Sequence, residues 1–143
     1  MNKAEIALNQ FNSNNHCHYN CSQSVLYAFA EDFGMNKETA LRISKGFGAG
    51  IGRTQSVCGA VSGAIMVIGL KYGDNTEITY KKVRDFIRQF KETTTTTVCM
   101  DLLNGCNLLT DEGQRFFNEN RLRQKNCSEY VKLACNILEE LLK

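Results

Sequence analysis

The sequence predicts an all-α fold: one compact multi-helix domain around a central buried helix rich in glycine and alanine. Two observations carry this. The chain has no proline, the residue that breaks helix interiors. Its apolar residues recur at the 3.6-residue helical period rather than alternating. A length of 143 residues fits a single domain, and no linker or internal repeat divides it.

The elements follow in order. Ala4 to Phe11 is a short first helix. Cys21 to Phe33 is a second, apolar at Val25, Leu26, Phe29 and Ala30 and stopped by Gly34. Lys37 to about Gly46 is a third, with Ala40, Leu41 and Ile43 turned inward. Gly46 to Gly52, GFGAGIG, is expected to be irregular. Eight of the eleven glycines lie between Gly46 and Gly73. Val57 to Tyr72 is the central helix, ended by Gly73 and the turn signal Asp74-Asn75. Ile78 to Lys91 is amphipathic, with Val83, Phe86, Ile87 and Phe90 on one stripe. The β-branched run Thr93 to Thr97 interrupts it. A short helix covers Val98 to Leu103 and another Asp111 to about Asn120. The last runs from Cys127 to Leu142 and buries Val131, Ala134, Cys135, Leu138 and Leu142.

Composition narrows the function classes. Hydrophobic residues make up 43% and charged residues 22%, which fits a globular chain with a sizeable core. The net charge of +2 gives no argument for nucleic acid or an anionic membrane. The N-terminus has no apolar signal-type core. The longest apolar run, Val57 to Leu70, falls short of the roughly 20 residues a membrane span needs. The expectation is a soluble, cytoplasmic protein. In that compartment thiols stay mostly reduced, and cysteines tend to be catalytic, redox-sensing or metal-binding. The odd count of seven cysteines also argues against a fully paired disulfide framework.

Several motif readings fail. GFGAGIGRT has neither GxGxxG spacing nor a GxxxxGK[ST] phosphate loop; a backbone turning sharply beside a packed helix explains it. No CxxC pair, CxxCH, HExxH or Ser/His/Asp triad occurs, so no catalytic class follows from motif alone. His16, Cys17, His18 and Cys21 are soft-metal ligand types within six residues. Side chains at three adjacent positions converge poorly on one ion, so a solvated loop before a helix is expected there. Lys81, Lys82, Arg84 and Arg88 read as a solvated helix face. Gly59 with Gly63, and Ala60 with Ala64, stack small residues at helical spacing. Such a face suits a homodimer or a close internal neighbour.

Four cysteines share a local context. Asn20 before Cys21, with Gln23 three residues on, reads as a capping box. Asn126 before Cys127, with Glu129 three residues on, repeats it. Ser56 and Thr97 stand two residues before Cys58 and Cys99 as further caps. Helix starts favour negative charge through the dipole and free N–H groups, which lowers thiol pKa values and favours the reactive thiolate. Arg53 and the loop amides add to this at Cys58, the expected most activated thiol. Cys135 sits mid-helix on the apolar stripe and reads as core; Cys106 follows Gly105 in a loop.

These pieces together resemble the redox-active C_GCAxxG_C_C family over nearly the whole chain. The resemblance begins at Asn20-Cys21-Ser22-Gln23 and continues through GFGAGIGRT into Cys58-Gly59-Ala60-Val61-Ser62-Gly63. Gly69 to Gly73, Cys99 to Leu103, Asp111 to Gly113 and Cys127 follow in order. It implies that Cys21, Cys58, Cys99 and Cys127 are the functional set, either as redox thiols serving a partner protein or as ligands of an iron–sulfur cluster or zinc. A helical interaction domain with structural cysteines is the third reading.

Overall fold

The computed structural model describes residues 1–13 and 19–143. It is all-α, as expected. The helices are α1 (Lys3–Phe11), α2 (Cys21–Ala30), α3 (Lys37–Ile43), α4 (Gly48–Ile51), α5 (Gly59–Tyr72), α6 (Thr76–Thr94), α7 (Cys99–Leu102), α8 (Asp111–Glu119) and α9 (Ser128–Leu141). No helix among the described residues is long and apolar enough to cross a membrane.

Local chemistry explains most boundaries. Asn2, Asn20, Asn36, Asn75 and Thr110 each cap a helix by accepting the N–H three residues on. After α2 a 3₁₀ turn, Glu31–Phe33, leads to Gly34 in the left-handed region. The threonine run ends α6 as anticipated, at Thr95, whose φ is 66°. The helix itself is longer than expected at both ends, because Asn75 caps it and Thr94 Oγ1 bonds back to the Phe90 carbonyl. Ile43 is a correction: it is 55% exposed, because α3 stops there and only Ala40 reaches the core.

α5 is the buried central helix. α2 crosses it at very short range. A Cβ on Gly63 would sit 2.8 Å from the Ser22 carbonyl oxygen and 3.1 Å from Val25 Cβ, so only glycine admits α2 here. Gly59 faces Cys21 and Ser22 in the same way. The small-residue face is therefore filled by α2 of the same chain, which leaves it no room for a second copy. Phe11, Leu26, Phe86, Phe90, Leu138 and Ile68 complete the main core, and α1 and α9 close it. A smaller cluster, Cys99, Leu103, Cys106 and Leu108, lies beside it.

The glycine loop winds left-handed. Ala49, Gly50, Ile51, Gly52, Arg53 and Gln55 all have positive φ, between 51° and 69°. Such a conformation costs non-glycine residues about 1–2 kcal/mol each. Backbone bonds across the turn hold it: Gln55 and Ser56 donate N–H bonds back to the Ala49 and Gly50 carbonyls at 3.2 and 2.8 Å. Gly50 is irreplaceable here, since a Cβ would lie 2.7 Å from Cys99 Cβ.

Candidate functional site

Cys21, Cys58, Cys99 and Cys127 line one cavity of about 440 Å³. They come from four separate segments, and each is positioned by a traceable local device.

Cys21 opens α2. Asn20 Oδ1 accepts from Gln23 N–H at 2.9 Å, and Gln23 Oε1 accepts from Asn20 N–H at 3.0 Å, the expected capping box. Both amides also reach across the fold. Asn20 Nδ2 donates to the Lys45 carbonyl and Gln23 Nε2 to the Leu41 carbonyl, at 2.8 and 2.7 Å. The start of α2 is thereby tied to the segment that ends α3.

Cys58 and Cys99 are set side by side by an antiparallel bridge between Val57 and Val98. Cys58 N–H donates to the Thr97 carbonyl at 2.8 Å, and Cys99 N–H to the Ser56 carbonyl at 2.7 Å. Ser56 and Thr97 thus act through their backbones, and neither side chain caps the helix as the sequence suggested. Cys58 itself occupies the cap position of α5.

Cys127 corrects the second capping box. Residues Arg123–Cys127 form a π-helical turn that runs straight into α9, so Asn126 is no N-cap. π turns of this kind recur at functional sites.

The thiol pKa values also depart from expectation. Burial pushes Cys58 up to about 11, outweighing hydrogen bonds from the Ala60 and Val61 amides. Burial likewise pushes Cys99 up to about 12, aided by repulsion from Cys58 and Cys127 and opposed by the nearby Gln55 side chain. Cys127 alone among the four falls below the ordinary thiol range. The neighbouring Cys21 thiol is the chief cause and the Arg123 guanidinium assists, against the opposing effect of burial. Cys21 rises in turn, through Cys127 first and burial after it. At Cys58 burial therefore outweighs the helix-start amides, and Arg53 is not among the groups that shift it.

Three residues of the site escaped the sequence reading. Arg123 donates to the Tyr19 carbonyl at 2.9 Å and stacks 3.7 Å from the Phe11 ring centre, which fixes its charge beside Cys21 and Cys127. Gln55 is 2% exposed; its Nε2 donates to the Cys106 carbonyl at 2.7 Å, and its Oε1 accepts from Leu108 N–H at 2.8 Å. Tyr130 lines the cavity and donates to the Leu102 carbonyl at 3.0 Å. Arg123 had one available signal, its helical spacing of four residues before Cys127.

The other cysteines lie elsewhere. Cys135 is fully buried in the main core, as expected. Cys106 packs in the smaller cluster and bonds the Gly113 carbonyl at 3.2 Å. His16, Cys17 and His18 fall outside the described residues, and with them the HCHYNC reading. The six described cysteines are all free thiols.

A zinc ion or iron–sulfur cluster would need thiolates converged on one point. Among the described residues, no group of three or more His, Cys, Asp or Glu is arranged to hold a metal ion. The four thiols share a cavity without forming that donor set. What the arrangement offers is two neighbouring thiols, Cys21 and Cys127, beside the Arg123 guanidinium, with Cys58 and Cys99 lining the same cavity.

No curated protein and no solved structure matches the chain. A family model described as "Putative redox-active protein (C_GCAxxG_C_C)" matches residues 19–141, the span that holds all four cavity cysteines. This chain belongs to the C_GCAxxG_C_C family.

Proposed function

We propose that the protein performs thiol–disulfide chemistry through the Cys21–Cys127 pair. The observations that support this are the cavity that Cys21, Cys127 and Arg123 line together, and the lowering of the Cys127 pKa by the neighbouring Cys21 thiol first and the Arg123 guanidinium after it. A thiolate beside a neutral thiol is the arrangement a dithiol needs to attack a disulfide and then close on itself. Oxidation would join the two sulfurs and release two electrons, with one proton from Cys21. A dithiol redox partner protein would reverse the step. Cys58 and Cys99, held neutral by burial, are the second pair facing the same cavity.

The rival assignment makes Cys21, Cys58, Cys99 and Cys127 ligands of an iron–sulfur cluster or zinc. The shared cavity favours it; the absence of a converged donor set among the described residues weighs against it. Metal and sulfide analysis of protein purified without oxygen separates the two. Metal-free protein that loses two thiols per chain on mild oxidation supports the redox reading. Near-stoichiometric zinc, or iron with sulfide, replaces it with the metal reading.

A further inference from the structure

The cavity is lined by charges of one sign. Lys45, Arg53 and Arg123 contribute to its wall, and no Asp or Glu does so among the described residues. None of the three cations forms a salt bridge among the described residues. Lys45 and Arg53 are exposed, whereas Arg123 is partly buried next to the thiol pair. Clefts lined by one sign of charge concentrate ligands of the opposite sign. A volume of about 440 Å³ accommodates a small organic molecule rather than a bare ion.

We propose that this cavity binds a small carboxylate-bearing disulfide, drawn in by Lys45 and Arg53 and presented to Cys127. The inference rests on the thiol-redox reading above and adds its substrate class. In the first step the Cys127 thiolate attacks one sulfur of the substrate. A bond forms between Cys127 and that sulfur, the substrate S–S bond breaks, and the other half leaves as a thiolate. In the second step Cys21 gives up its proton, which the departing thiolate takes. Its sulfur attacks Cys127, forms the Cys21–Cys127 disulfide and releases the second half. The substrate disulfide is reduced to one thiol and one thiolate, which water protonates according to its pKa, and the protein dithiol is oxidised to one disulfide.

The test compares three disulfides of similar size against the fully reduced protein: dianionic dithiodipropionate, neutral hydroxyethyl disulfide and dicationic cystamine. Rates are read by loss of protein thiols at low ionic strength. A bare thiolate repels anions, so the order dianion, neutral, dication from fast to slow requires a cationic site. The expected preference for the dianion over the dication is about tenfold or more. Lys45→Gln with Arg53→Gln should remove most of that preference by slowing the dianion far more than the neutral disulfide. Equal rates for all three, or cystamine fastest, overturns the anion assignment while leaving the redox reading in place. No reaction with any of the three overturns the redox reading itself.

Discussion

Cys58 and Cys127 show which physical effect wins at a thiol. Cys58 accepts two amide hydrogen bonds at a helix start, yet its pKa stands near 11, because burial outweighs them. Cys127 is also partly buried, but the neighbouring Cys21 thiol and the Arg123 guanidinium offset the cost. Two outcomes follow. Alkylation rates measured against pH should place Cys127 below the ordinary thiol value and Cys58 and Cys99 well above it. Arg123→Gln should raise the Cys127 value and slow its alkylation at neutral pH, while Arg123→Lys should recover part of the loss. An Arg123→Gln profile identical to the parent would remove Arg123 from the site. Helix-start context in the sequence picked out four thiols that share one cavity, but it carried no sign of the burial that opposes activation at Cys58. Caps are local and legible in sequence; desolvation depends on which distant segments close over a sulfur.

At the scale of elements, α5 offers a matched pair of glycines. Gly63 touches the α2 backbone, whereas a Cβ on Gly69 would meet nothing within 4 Å. Gly63→Ala should destabilise the protein by about 1–3 kcal/mol through overpacking. Gly69→Ala, in the same helix, should stabilise it by up to about 1 kcal/mol. Denaturant unfolding of both variants checks the close α2–α5 crossing, and equal effects would contradict it. Asn20→Ala should cost about 1 kcal/mol as a lost cap, and its bond to Lys45 as well. The helix pattern and the Asn20 box were legible in sequence because apolar period and capping are local signals. The left-handed turn was legible only as an irregular, glycine-rich stretch. Ile51, Arg53 and Gln55 adopt positive φ with no residue-type signal; Gln55 is anchored there by its bonds to Cys106 and Leu108, and Gly50 by its close approach to Cys99. The π turn at Arg123–Cys127 was hidden because Asn126 and Glu129 mimic a capping box.

For the whole molecule, the buried thiols set a limit on alkaline stability. Folding holds Cys58 near 11 and both Cys99 and Cys135 near 12, above their unfolded value near 9. Above pH 9 the unfolded chain loses these protons first, so stability falls as pH rises through 9 towards 12. Cys58 alone accounts for roughly 3 kcal/mol over its part of that window. Cys127 has the opposite sign: its contribution is present above its unfolded value and is lost as pH falls through its lowered folded value. Urea midpoints between neutral pH and pH about 10.5 should therefore decline, more steeply than exposed groups would cause. Cys135→Ala should flatten the decline without changing the number of thiols lost on oxidation.

The central claim is that Cys21 and Cys127 are the reacting pair among four thiols facing one cavity. Peptide mass mapping of the disulfide formed on mild oxidation of the reduced, metal-free protein tests it most directly. The account predicts a Cys21–Cys127 linkage as the dominant product, with Cys58, Cys99, Cys106 and Cys135 still free. A dominant Cys58–Cys99 linkage, or four thiols that resist oxidation, would contradict it.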